Sequence, residues 1–305
     1  MEADEGRIGT GGSSMRILLV ATKVPWPSDD GGKLLIIETL RAFQGRHDVT
    51  LVAPGLDHGD LSPLRALCRL EVVPVRRSLP LGRLLRGEPM SVARHSHPEV
   101  ARRATALALA NPFDLVHAEQ FHALDASRAA ASAANLPLVL REQNVESDLW
   151  EGAMAARASL VRWPLAFEAR RLARREGADL ALADVTVALT PRDRDRLLAL
   201  SGLPADRIVH VPVPFPARLP QPGVPLEGQP AAILLGSAGW HPNRDGQRWF
   251  LSRIWPAVQE SVPGAVLHLF GEAEGPTNDR IRVHARPGDA AMAFAAGSVM
   301  VVPLR

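Results

Sequence analysis

At 305 residues the chain is long enough for two α/β domains, and 46% hydrophobic with 22% charged residues describes a folded globular protein rather than a disordered one. A formal charge of +2 excludes a polyanion binder by bulk charge, so nucleic acid is not an expected partner. The single cysteine, Cys68, excludes an internal disulfide framework and a thiolate zinc site, and it suits a reducing cytoplasm.

Residues 1–14 are polar and Gly/Ser-rich, without the apolar stretch of a signal peptide, and read as a leader, a tag or a misplaced start. From Met15 onward, short apolar runs alternate with longer helical ones, the pattern of a parallel sheet flanked by helices. The expected strands of a first domain, residues 15–211, are Arg16–Ala21, Val49–Ala53, Glu71–Val75, Leu115–Ala118, Leu138–Leu140, Val185–Leu189 and Ile208–Val211. Helices are expected at Leu34–Phe43, Pro98–Ala110, Leu124–Ala134 and around Val161–Arg175. Prolines recur through residues 212–230, too densely for a helix or a central strand, and mark a linker. The rhythm then restarts over residues 231–305. Strand Ala232–Gly236, loop Ser237–Gly246 and helix Gln247–Glu260 are followed by strands Val266–Phe270, Ile281–His284 and Val299–Val302, with a short helix near Asp289–Ala296. No apolar run is long enough to span a bilayer.

Polar groups gather at the carboxyl ends of these strands, where α/β proteins bind ligands. After the first strand, Gly31-Gly32-Lys33 opens a helix; it suits either a phosphate cradle with Lys33 as counter-charge or a ligand-free glycine turn. The G-x-G-x-x-G dinucleotide spacing is missing. Asp114-Leu115-Val116-His117-Ala118-Glu119-Gln120 sets His117 and Glu119 on one face of a strand. His117 alone reads best as a hydrogen-bonded core residue, whereas Glu119 is costly to bury without a partner and is the better candidate for proton transfer or sugar binding. Arg141-Glu142-Gln143-Asn144-Val145-Glu146-Ser147 puts a third cluster on the same edge, with a capped surface loop as the alternative. In the second half, Gly236 and Ser237 allow close backbone approach to a phosphate, with His241 and Arg244 as polar neighbours. Arginines among apolar residues at Val161–Arg175 and around Leu79–Arg86 fit solvated faces, or contact with an anionic membrane surface. No H-E-x-x-H or clustered carboxylates point to a metal.

In order, these segments resemble the family 4 glycosyltransferases, retaining enzymes of the GT-B fold, and most closely the bacterial branch that assembles exopolysaccharides and cell-surface glycans. The resemblance runs from Met15 to Arg305. It is carried by M-R-I-L-L-V with P-W-P-S-D-D-G-G, D-L-V-H-A-E-Q, R-E-Q-N-V-E-S, V-A-L-T-P-R-D-R-D, G-S-A-G-W-H-P-N-R-D-G and A-A-G-S-V-M-V-V-P-L-R. It implies a hexosyltransferase-type enzyme of class α/β, with two Rossmann-like parallel-sheet domains facing a cleft. Its donor would be a nucleotide-diphosphate sugar and its acceptor a glycan or lipid-linked molecule, with neither cofactor nor metal. It also implies a cytoplasmic protein, peripheral at the membrane. By the same likeness Glu119 and Glu142 stand as catalytic, with Glu119 also on the acceptor side; Gly31, Gly32, Lys33, Gly236, Ser237, His241 and Arg244 bind donor; and His117, Asn144 and Glu146 bind acceptor.

This chain departs from the pattern at Glu119 and Gln143, where relatives carry histidine, and at Ser237, where many carry arginine. The Gly-rich turn and paired glutamates that follow V-V-P-L-R in the family lie beyond Arg305, so the sequence reads as truncated, its second domain incomplete and its transferase activity low. Two other readings stand beside this one. One is a non-catalytic module that binds a glycan or a partner. The other is a sugar-nucleotide epimerase, which fits R-E-Q-N-V-E and W-H-P-N less well.

Overall fold

The computed structural model describes residues 13–28, 30–56, 59–75, 81–155, 159–214, 224–235, 241–272, 275, 277–285, 287 and 293–303. The chain divides into two units, Met1–Val24 with Thr39–Pro214, and Pro25–Glu38 with Phe215–Arg305.

The first unit holds a seven-stranded parallel sheet of β1 (Arg16–Ala21), β2 (Asp48–Pro54), β3 (Arg69–Val73), β4 (Leu115–Glu119), β5 (Leu138–Glu142), β6 (Val185–Ala188) and β7 (Ile208–His210), in the order β3-β2-β1-β4-β5-β6-β7. The strand order reverses between β1 and β4, which pair from Ile17↔Leu115 to Ala21↔Glu119. The apolar runs expected from the sequence form the core: Leu18, Val20, Val116, Ala118 and Leu140 are all buried. Arg141 and Glu142 belong to β5, extending the strand beyond the expected Leu140; both are buried at the sheet edge, where Arg141 pairs with Glu119 of the adjacent strand.

The helices of this unit are α2 (Ser62–Arg65), α3 (Leu81–Leu85), α4 (Met90–His95), α5 (Pro98–Ala110), α6 (Leu124–Ala134), α7 (Glu146–Ala155), α8 (Ser159–Asp179) and α9 (Pro191–Ser201); α1 (Gly31–Phe43) precedes them and crosses the division between units. Local chemistry sets several ends. Pro98 opens α5 and left-handed Asn135 closes α6. Thr190 caps α9 by accepting the Asp193 amide, and left-handed Gly202 ends it.

The second unit has a four-stranded parallel sheet, order β10-β9-β8-β11, from β8 (Ala231–Leu235), β9 (Val266–Phe270), β10 (Ile281–His284) and β11 (Val299–Val301). Helix α10 (His241–Trp249), a π-helical turn (Phe250–Ile254) and α11 (Trp255–Ser261) run on without a break, and Phe250, Leu251 and Trp255 pack with Leu234, Leu267 and Leu269. The helix therefore starts at His241 rather than at the expected Gln247. Residues 215–223 of the Pro-rich linker and 289–292 of the expected short helix near Asp289–Ala296 lie outside the described residues.

Candidate functional site

At the end of β4 the chain turns through Gln120, which holds the left-handed φ of 74° that non-glycine residues rarely adopt. This conformation is fixed by hydrogen bonds on both sides. The Gln120 amide donates to the Arg141 carbonyl (2.9 Å), and its side-chain nitrogen donates to Gln143 Oε1 (2.7 Å). Thr22, just past β1, donates its hydroxyl to Gln120 Oε1. Gln143 in turn donates to Glu119 Oε1 (2.8 Å). A polar relay thus crosses the carboxyl ends of β1, β4 and β5. Strain of this kind persists only where the surroundings over-determine it, and it gathers at functional positions.

The relay ends on a buried ion pair. Glu119 is fully buried and Arg141 is 6% exposed. Arg141 Nε lies 3.0 Å from each Glu119 carboxylate oxygen, Nη2 donates to Oε2, and Nη1 donates to Thr39 Oγ1 (2.7 Å). Burial alone would raise the Glu119 pKa, but the Arg141 charge and bonds from His117 and Arg141 outweigh it and hold the carboxyl at about 2. His117 Nε2 is 3.3 Å from Glu119 Oε2, on the face the sequence placed it. Glu119 therefore stands as a fixed carboxylate whose oxygens are already engaged, holding Arg141 and Gln143 in position.

Beside it lies a carboxyl cluster of opposite character. Glu176 on α8 accepts from the Glu146 amide (2.7 Å), the Ser147 amide (3.1 Å) and the Ser147 hydroxyl (2.6 Å), capping α7 from outside. Burial raises the Glu176 pKa and these three donors oppose it, so Glu176 is the member best able to carry charge. Glu142, at the end of β5, is 2% exposed with neither carboxyl oxygen hydrogen-bonded. Burial first, then Glu176 and Glu146, push its pKa well above the usual range, and the nearby Phe121 amide only partly offsets this. Burial and Glu176 push Glu146 up to about 7, which suits proton exchange near neutral pH. Asn144, between them, is exposed.

A cavity of about 210 Å³ opens beside these residues, lined by Val20, Ala21 and Thr22 after β1, Pro54 at the end of β2, Arg83, His95, Ser96 and His97 from the α3–α5 segment, and His122, Ala123 and Asp125 after β4. It occupies the carboxyl edge where the strand order reverses, the usual ligand position in an open parallel sheet. The His122 ring packs against His95 at a tilt of 45° with ring centroids 4.6 Å apart, its Nδ1 lies 3.9 Å from Glu146 Oε1, and among the described residues its buried Nε2 has no hydrogen-bond partner. Burial, then His95, lowers the His122 pKa to about 3, so the ring is neutral. Burial and His95 lower His97 as well. Arg83 spans one wall, donating to Glu88 (2.6 Å), Ser96 and Asp125 (3.2 Å), while Arg175 holds the other Asp125 oxygen at 2.9 Å. Apart from Arg83, which lies in the basic stretch around Leu79–Arg86, the sequence reading did not single out these cavity residues. The signals available were His95-Ser96-His97 and the His122 that follows a strand's carboxyl end.

Gly31 and Gly32 form the first turn of α1 rather than a loop before it, because Asp30 caps the helix by accepting the Lys33 amide at 2.8 Å. Gly236 and Ser237 lie outside the described residues. His241 begins α10, and Arg244 is exposed on that helix. Among the described residues no group of three His, Cys, Asp or Glu side chains is arranged to hold a metal ion.

The sequence matches the glycosyl transferase 4-like domain over residues 35–214. The chain belongs to this family. Among solved structures, Anabaena Alr3699/HepE in complex with UDP-glucose is 17% identical, with a TM-score of 0.55 over 90% of this chain and 69% of that one. Sucrose-phosphate synthase from Thermosynechococcus elongatus is 14% identical, with a TM-score of 0.56 over 90% and 71%. No curated protein sequence matches the chain. The α/β, GT-B-like class expected from the sequence is the fold of this glycosyl transferase 4-like protein.

Proposed function

We propose that this protein transfers a sugar, with retention of configuration, from a nucleotide-diphosphate sugar to a glycan or lipid-linked acceptor held in the cavity at the β1/β4 reversal. The observation that carries the reading is that cavity, with its unpartnered His122 Nε2, in a chain of the glycosyl transferase 4-like family. An unsatisfied buried imidazole nitrogen is costly and is relieved by an acceptor hydroxyl, which can both donate and accept. Thr22 and Gln120 fix the cavity floor, and Arg83 fixes its wall. Glu146 Oε1 lies 3.9 Å from His122 Nδ1 beside the cavity, and its elevated pKa lets it take or return a proton of a bound hydroxyl without a metal. The candidates to hold the donor diphosphate remain Gly31, Gly32, Lys33, Gly236, Ser237, His241 and Arg244, since backbone amides and cationic side chains favour such a charge. Uridine diphosphate sugars are the first donors to test, since HepE was crystallised with UDP-glucose. The protein is assigned to exopolysaccharide or cell-surface glycan assembly at the cytoplasmic face of the membrane.

The test is a panel of nucleotide sugars incubated with the protein and simple glycan or polyprenyl-phosphate acceptors. Nucleoside diphosphate release is followed, and the anomeric configuration of the product is read by proton NMR. Acceptor-dependent release with a retained anomer supports the proposal. Absence of both nucleotide-sugar binding and turnover across the panel removes it.

A further inference from the structure

The hydrogen bonds across the strand ends have a fixed direction, and one end of the series opens on the cavity. Glu119 is held ionised beside Arg141, so its oxygens only accept, and the Gln143 side-chain nitrogen is the donor to it. Gln143 Oε1 is therefore the atom that meets Gln120, and it accepts from Gln120 Nε2 (2.7 Å). That leaves Gln120 Oε1 for Thr22, whose hydroxyl donates its only hydrogen there and has lone pairs alone to offer a ligand. A flipped Gln120 amide would set two amide oxygens against each other. The backbone holds the residue in place: φ 74° and ψ 152° lie in a region otherwise used by glycine, and the Gln120 carbonyl accepts the Ala123 amide at 3.0 Å. Thr22 lines the cavity, and His95 on its wall repeats the polarity. His95 Nδ1 is 2.8 Å from the Ser91 carbonyl, which only accepts, so the neutral ring keeps a lone pair on Nε2. Arg83, the cation of the same wall, is already set against Glu88 (2.6 Å) and Asp125 (3.2 Å).

We infer that this cavity selects ligands that give hydrogens: its occupant is an uncharged saccharide whose hydroxyls donate to Thr22 and His95, and sugar phosphates and uronates are rejected. The inference rests on the assignment of the cavity to the acceptor substrate and narrows that substrate to one class. Carboxylate and ionised phosphate oxygens carry lone pairs only. Opposite Thr22 they would meet a second acceptor with no hydrogen between, and an unpaired polar group in a partly buried site is costly. A hydroxyl suits every polar group here. It donates to Thr22 or His95, and it can accept from His122 Nε2, which has no hydrogen-bond partner among the described residues. The His122 ring, kept neutral by burial and then by His95, adds no charge to attract an anion. Gln120 and Gln143 act through Thr22 and are positioning residues for this selection.

Binding of simple sugars tests this without donor or turnover, so its failure is separable from failure of the transferase assignment. Methyl glycosides of glucose, galactose, mannose and N-acetylglucosamine are titrated into the full chain above neutral pH and followed by saturation-transfer NMR. The phosphates and uronates of the same sugars, and their monodeoxyfluoro analogues, are titrated alongside. At least one uncharged glycoside should bind, and its phosphate and uronate should bind about tenfold more weakly. Fluorine cannot donate, so at one ring position it should cost about fivefold in the parent and nothing in T22V, which has no oxygen to accept. T22S keeps the hydroxyl and should show the fluorine penalty of the parent. If T22V fails to fold, the ratio of phosphate to glycoside affinity in the parent still decides. A phosphate or uronate that binds as tightly as its glycoside, a fluorine penalty that survives T22V, or silence from every uncharged sugar would each overturn the inference. Acceptor-dependent turnover of a nucleotide sugar alongside any of these would leave the transferase assignment standing.

Discussion

Replacing Arg141 with methionine tests the claim that Glu119 is a fixed carboxylate. Glu119 is fully buried and its pKa falls from the usual 4.5 to about 2, a difference that corresponds to about 3 kcal/mol of stability at neutral pH. Removing Arg141 leaves that charge with Gln143 and His117 as its remaining neighbours, and breaking a buried pair costs about 3–5 kcal/mol. R141M should therefore lose that amount in urea unfolding followed by circular dichroism. E119L/R141M should recover to within about 2 kcal/mol of the parent, since replacing both charged partners by apolar side chains leaves no unpaired buried charge. The pH dependence has a fixed sign. A depressed carboxyl pKa contributes stability that is complete above 4.5 and is lost as pH falls through about 2. The gap between parent and R141M should narrow on acidification through that window. A coupling energy below about 1 kcal/mol, the range of exposed ion pairs, would refute the reasoning.

Three further outcomes follow from the same geometry. Glu146, raised to about 7, stabilises the fold below 4.5 and loses that contribution as pH rises towards 7; E146Q should show a shallower decline across this window in pH-dependent melting. H122F should fold normally, because the native ring is neutral and packed at a tilt against His95, yet raise the acceptor KM about tenfold; an unchanged KM in steady-state kinetics would remove the cavity from the acceptor site. G177A should destabilise by about 1–3 kcal/mol in thermal unfolding, because an added Cβ would lie 2.5 Å from the Leu200 carbonyl oxygen and force α8 away from α9.

The strands that were legible are those whose signal is burial. β1, β9 and β10 have the expected limits, and α5 and α6 begin and end where proline and asparagine punctuate the sequence. The less legible elements are those governed by distant partners. The β5 strand extends over Arg141 and Glu142 because Glu119 neutralises the arginine from the adjacent strand, and no local window contains both residues. Helix α8 carries Pro164 and is strongly charged, yet it runs from Ser159 to Asp179 because its buried acids are spent on Met90 and α7. The cavity was not read in advance because its imidazoles come from two segments joined only by the strand reversal.

Gln143 shows how a departure from the family pattern acquires meaning in the structure. A neutral amide both accepts from Gln120 and donates to Glu119, so the relay holds at any pH at which Glu119 stays ionised, down to about 2. A histidine there could make the same two bonds only as one neutral tautomer; once protonated it would lose its acceptor and release Gln120. Since Gln120 occupies left-handed backbone that costs about 1–3 kcal/mol, releasing its side chain would relax the turn that leads into Phe121 and His122. The amide therefore separates two functions that adjoin at this edge: a pH-insensitive framework of Thr22, Gln120, Gln143, Glu119 and Arg141, and a titratable carboxyl group at Glu146 set against it.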